Sequence, residues 1–178
     1  MKKCRSFISG AGDAMNRKLF SITMVLLTAF SCVPLASKLV NDICVNEANK
    51  RKVLIAMQNG QFKDSVIVIV KNALEQDSYC VKVVPLGDLC DEVMENYSAC
   101  IIVNTGHFRH IGGKASKFLK KLSHREKEKI VLFTTTGGEG WHPKGTGVDC
   151  VTSASKLKKA LLVADTITAK TKAILKKK

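Results

Sequence analysis

Aromatic side chains are scarce in this sequence: one tryptophan (Trp141), two tyrosines (Tyr79 and Tyr97) and seven phenylalanines among 178 residues. The scarcity matters because the net charge is +14, from 29 lysines and arginines against 15 aspartates and glutamates. Such a charge attracts anionic partners through a long-range, salt-sensitive field. A nucleic-acid binder also needs planes on which bases can stack, and this chain has few. Its lysines, spread over Lys114 to Lys129 and Lys156 to Lys178, fit solvated helix faces. Nucleic acid is therefore disfavoured as a partner.

Other absences narrow the chemistry. The seven cysteines (Cys4, Cys32, Cys44, Cys80, Cys90, Cys100 and Cys150) include no Cys-x-x-Cys pair, so neither a zinc ribbon nor a thioredoxin-type site is signalled. Cys100 and Cys150 stand in strand-like surroundings, where a thiol acts as a small hydrophobe. Pairing among the cysteines is not readable from sequence. No nucleophile and base stand in a recognisable motif, and Gly10-Ala-Gly12 precedes any strand, so it is not a dinucleotide fingerprint. The apolar and charged fractions are those of an ordinary globular protein, with room for one domain and an appendage.

The appendage is at the amino end. Residues 19–37 are uncharged and follow Arg17 and Lys18, with Lys2, Lys3 and Arg5 further back. At about 1.5 Å per residue the run just spans a bilayer core of about 30 Å. The basic flank favours an amino terminus kept in the cytoplasm, which places everything after Lys38 on the far side. Three readings compete: an uncleaved anchor, a removed signal peptide and a lipoprotein signal. Met15-Asn-Arg-Lys with the apolar stretch has a signal peptide's regions, while Leu27-Thr-Ala-Phe-Ser-Cys32 resembles a relaxed lipobox. The plainer alternative is a buried helix of the globular domain. The expected organisation is a basic segment at 1–18, the signal or anchor at 19–37, a polar linker at 38–51 and a folded domain at 52–178. That domain is expected to be membrane-anchored on the extracytoplasmic side, or exported.

Within 52–178, apolar runs alternate with amphipathic stretches. Val53 to Met57, Val81 to Val84 (ended by Pro85), Cys100 to Val103, Ile130 to Thr134 and Val148 to Thr152 read as five strands. With helical spacers between them they imply a parallel sheet. Ala115, Phe118, Leu119 and Leu122 recur at helical spacing, as do Leu157, Leu161, Ala164, Ile167 and Ile174, with Ser153 or Ser155 as cap of that last helix. Val66 to Val70 is five β-branched residues and locally favours strand. The need for a crossover, with Phe62, Val66, Val70 and Ala73 at helical spacing, selects helix.

The most telling stretch is Lys129 to Trp141. A buried-type strand ends there in Thr134, Thr135, Thr136, Gly137 and Gly138, which puts small side chains and free N–H groups where open α/β sheets bind ligands. The plainer reading is that Gly137 and Gly138 only turn the chain.

These elements, with Ala99 to Gly106, Lys117 to Leu122 and Ile130 to Gly138, resemble the flavodoxin-like family over nearly the whole of 52–178. The tail from Gly140 to Ser155 resembles a short subgroup of it. The resemblance implies a three-layer α/β sandwich with five parallel strands in order 2-1-3-4-5. It also implies FMN as cofactor, flavin-linked electron transfer and a redox protein partner. Carried over residue by residue, it puts Asn59 and Gly60 at the phosphate, Thr105, Gly106 and Phe108 in the second loop, and Thr135, Thr136, Gly137, Gly138 and Trp141 in the third. The phosphate loop departs from the pattern. Met57 to Ser65 has no hydroxyl before Ser65 and sets Asp64 where an anion would lie, although Lys63 could supply charge. This departure leaves open a second reading, a non-enzymatic ligand- or protein-binding module that has lost FMN.

The same order brings His107, His110 and His142 to one edge, where with Glu139 they have the donor types for zinc. Without a recognised ligand frame, exposed loop histidines are the expectation and no metal is assigned.

Overall fold

The computed structural model describes residues 51–107, 110–138 and 140–177. Five strands, β1 (Lys52–Met57), β2 (Cys80–Pro85), β3 (Ala99–Thr105), β4 (Ile130–Thr136) and β5 (Asp149–Ala154), form one sheet in the order β2-β1-β3-β4-β5. Every pairing is parallel, with Ile55 facing Val83 on one side and Ile101 on the other. This is the expected order. Strands covered on both faces are apolar at successive positions, which is why β1, β3 and β4 read as unbroken hydrophobic runs.

Among the described residues four helices flank the sheet: α1 (Gln61–Gln76), α2 (Gly113–Lys121), the single turn α3 (His124–Lys127) and α4 (Ala160–Lys176). One apolar cluster joins Val53, Ile55 and Val103 to α1 and α4, and includes Phe62 edge-on to Phe133 with ring centroids 6.3 Å apart. The other joins Leu54, Ala56 and Ile102 to α2 and to 3-10 turns at Asp88–Asp91 and Met94–Asn96.

Val66 to Val70 is helical, as the crossover argument requires. A β-branched residue costs a helix about 0.5 kcal/mol relative to alanine, whereas each side chain fully buried contributes about 1.5–3 kcal/mol. Val66, Ile67 and Val70 are all fully buried, so packing outweighs propensity.

Three sequence expectations need correction. The spacers are not all helical: β2 and β3 are joined through 3-10 turns, and among the described residues of 137–148, which join β4 to β5, there is no helix. Gly137, Gly138, Gly140, Gly145, Gly147 and Pro143 explain the latter, since each glycine costs a helix about 1 kcal/mol and proline about 3. The stripe on the last helix is also shifted. Leu157 and Leu161 are 52% and 62% exposed, and the buried face is Ala160, Val163, Ala164, Ile167, Thr168, Thr171 and Leu175. A 3-10 turn at Leu157–Lys159 resets the phase before α4 begins. That later start removes the serine cap, because Lys159 occupies the cap position without a side-chain bond and Ser153 lies in β5.

Among the described residues no helix is long and apolar enough to cross a membrane. The expected anchor at 19–37 lies outside the described residues.

Candidate functional site

Parallel strands deliver their following loops to one edge, and here three such loops converge. The first, Gln58 to Gly60, is short and is tied to β3 by Gln58 N–H donating to the Val103 carbonyl (2.9 Å). The second, Gly106 to Gly112, narrows where His107 and His110 exchange backbone hydrogen bonds of 2.9 and 2.8 Å. The third is 137–148.

Asn104, fully buried near the end of β3, fixes the second loop. With its amide nitrogen turned toward β4, it donates to the Phe133 carbonyl (3.2 Å) and Thr134 Oγ1 (2.7 Å), and its oxygen accepts the Gly112 N–H (3.0 Å). One side chain therefore joins the exit of β3, strand β4 and the start of α2.

A cleft of about 600 Å³ lies over the ends of β2, β1 and β3. Its walls include Met57, Asn59, Pro85, Thr105, His107, Gly112 and Lys114. It spans the point where strand order reverses between β1 and β3, the place where doubly wound sheets bind ligands. Its volume suits a small organic molecule.

The expected site residues divide between places. Asn59 and Thr105 line this cleft. Thr136 and Gly138 line a separate hollow of about 230 Å³ with Gly140, His142 and Thr152. Thr135 is buried, its hydroxyl 3.4 Å from the Asn104 carbonyl and 3.5 Å from Thr105 Oγ1. Gly137 is exposed. Trp141 is half-buried over Gly106: a Cβ added at Gly106 would meet Thr134 Cγ2 at 3.0 Å and Trp141 Cζ3 at 3.1 Å. Phe108 lies outside the described residues.

The first loop does not fit a phosphate held in the family's manner. Gly60 N–H is already engaged by the Asp64 carboxylate at 3.2 Å. The only nearby serine, Ser65, donates to the Gln61 carbonyl at 2.9 Å. The stem of Lys63 lies over Gly60, where an added Cβ would meet Lys63 Cε at 2.9 Å. Lys63 Nζ turns inward to Thr105 Oγ1 at 2.8 Å, and burial lowers its pKa, with the Asp64 charge opposing that shift.

The histidines do not assemble a metal centre. His142 Nδ1 pairs with Thr152 Oγ1 at 3.1 Å, and among the described residues no group of three metal-ligating side chains occurs. Glu139 lies outside the described residues. Cys90, Cys100 and Cys150 are free thiols, and burial pushes Cys100 far above the usual thiol range, which suits a packing role.

Sequence reasoning did not single out Asn104, His107 as a cleft residue, or Lys114. Asn104 carried a signal, since it is an amide that closes the apolar run Ala99 to Val103.

No protein-family model matches the chain, and no curated protein matches it. Solved structures do match. A flavodoxin from the domain Archaea is 11% identical with a TM-score of 0.51, over 69% of this chain and 98% of that one. A flavodiiron core from Synechocystis sp. PCC6803 is 11% identical with a TM-score of 0.52, over 93% of this chain, which spans only 42% of that one. Identities this low speak to architecture and leave chemistry to the site. Strand order, parallel register and both likenesses agree that the chain has the flavodoxin-like fold.

Proposed function

We propose that this domain binds a flavin of the FMN class at the carboxyl edge of its sheet and serves in electron transfer with a redox protein partner. The observation that carries this reading is the cleft of about 600 Å³ at the β1/β3 switch point, in a fold shared with a flavodoxin. When bound, such a cofactor would supply one- and two-electron chemistry. The chain would supply Asn59 and Thr105 as polar contacts from the cleft wall, with Trp141, which packs beside Gly106 and outside that wall, as an aromatic plane.

The uncharged run at 19–37, after its basic flank, supports a domain tethered to a membrane or exported across one. Fractionation of cells making the full chain tests that part. Recovery of intact protein solely from the soluble cytoplasm refutes it.

The test of flavin binding is the absorption spectrum of purified full-length protein, followed by FMN titration against Trp141 fluorescence. Yellow protein or saturable quenching is expected. Trp141→Ala should weaken binding by about 1 kcal/mol from lost stacking. Colourless protein without measurable FMN affinity refutes the reading.

The second reading, a binding module that has lost FMN, is favoured by one observation: Asp64 already holds the Gly60 N–H in a loop without a free hydroxyl. Colour decides between the two.

A further inference from the structure

Lys63 is 6% exposed, and its Nζ makes one hydrogen bond, to Thr105 Oγ1. No carboxylate lies within ion-pair distance of it among the described residues; the neighbouring Asp64 is turned to Gly60 N–H. A buried ammonium carries three donors and a full charge; one neutral hydroxyl compensates little of either, and the nearby Asp64 charge offsets burial only in part.

Thr105 transmits that charge to the cleft. Its oxygen accepts from Lys63 at 2.8 Å and is approached by Thr135 Oγ1 at 3.5 Å, which leaves its own hydroxyl hydrogen to be donated elsewhere. Thr105 is half-buried and forms part of the cleft wall. A hydroxyl that accepts from a cation is a stronger donor in turn.

The cleft is otherwise prepared for negative charge. Among the described residues its wall contains Lys114 and His107 and no aspartate or glutamate. Lys114 is exposed, with no acidic residue in the first turn of α2 beside it.

We propose that the cleft holds a phosphate-class oxyanion on a small ligand, received by the Thr105 hydroxyl with Lys63 behind it and Lys114 beside it. The anion subsite thus moves from the first loop to the end of β3. The occupied Gly60 N–H excludes the older place, and the buried ammonium supplies the new one. The inference shares its cleft with the flavin reading but does not require the ligand to be a flavin.

The probe is inorganic phosphate, titrated calorimetrically into full-length protein at constant ionic strength set with chloride. Saturable one-to-one binding is expected. Lys63→Met, which keeps the apolar stem, should weaken it at least tenfold without lowering the melting temperature in phosphate-free buffer. Should that variant not fold, Lys114→Ala, at an exposed position, should weaken binding at least threefold. Lys120→Ala, lining a different pocket, should leave it unchanged. Absence of one-to-one binding overturns the proposal, as does undiminished binding in Lys63→Met or Lys114→Ala, or loss in Lys120→Ala equal to theirs. Protein that binds riboflavin but not phosphate keeps the flavin reading and refutes this one; protein that binds phosphate but no flavin does the reverse.

Discussion

Replacing Asn104 with leucine should destabilise the domain far more than its modest change in size suggests. The site is fully buried and the wild-type amide serves three partners: the Phe133 carbonyl, Thr134 Oγ1 and the Gly112 N–H. Leucine fills most of the space but offers neither donor nor acceptor. The Thr134 hydroxyl can rotate toward another acceptor, and the Phe133 carbonyl keeps its backbone ladder bond to β3; the Gly112 N–H has no such alternative. A buried group left unsatisfied costs about 1–3 kcal/mol, and the lost bonds to β4 add to it, so a loss of about 2–3 kcal/mol is expected. At about 3–4 °C per kcal/mol for a domain of this size, the melting temperature falls by about 6–12 °C. Urea unfolding followed by circular dichroism measures the global loss. Trp141 fluorescence reports the loop side, because the indole lies against Gly106, two residues from Asn104. A double-mutant cycle with Thr134→Val should reveal coupling of about 1 kcal/mol. Asn104→Leu costing less than about 1 kcal/mol, or adding to Thr134→Val without coupling, would refute the bonding scheme.

Glu92 accepts hydrogen bonds from Lys82 (2.7 Å) and Tyr97; burial alone would raise its pKa, and those bonds outweigh burial and hold it below the usual carboxylate value. Its folded pKa lies below the unfolded one, so its stabilisation is present above about pH 4.3 and is lost as pH falls through the folded value. Glu92→Gln should flatten that acid limb, and parallel urea midpoints against pH for both proteins would refute the linkage. Gly106→Ala should cost about 1–2 kcal/mol and shift Trp141 emission, because the new methyl meets Thr134 and Trp141 at 3.0 and 3.1 Å; an unchanged spectrum counts against the packing. The pair Leu161→Ser and Leu162→Ser, at positions 62% and 67% exposed, should change stability by no more than about 0.5 kcal/mol in thermal melts.

The sheet was legible because its signal is local and redundant. Three central strands lie between helical layers, so their apolar runs needed only bounds, and Pro85 marked the end of the edge strand β2. The helix at Val66 was legible only through topology: local propensity pointed to a strand, and the need for a crossover decided otherwise. The last helix shows the limit of periodicity. Leu157 and Leu161 fit the stripe by spacing, yet Leu157 lies in a 3-10 turn and Leu161 falls one residue out of phase with the face Ala160, Ala164, Ile167, Thr171 that α4 buries. Nothing in the tract Lys156-Leu-Lys-Lys-Ala160 distinguishes such a turn from the first turn of an α-helix.

The site was half legible, for a different reason. Loop residues announce themselves by type, so Asn59, Thr105 and the glycines could be placed at the sheet edge from sequence. Which concavity each faces depends on loop paths that sequence does not encode locally, and Thr136 and Gly138 accordingly line a different hollow from Asn59 and Thr105. Lys63 did carry a local signal. It stands four residues before Ile67, seven before Val70 and eleven before Leu74, on the stripe that α1 buries against the sheet. A lysine at that phase either reaches past the helix end to water or remains inside with its charge. Here the helix begins only two residues earlier, so the chain turns inward at the first loop and the ammonium meets Thr105. A charge that the fold keeps at such cost, beside a cleft wall with no carboxylate among the described residues, is the strongest physical reason to look for an anion there.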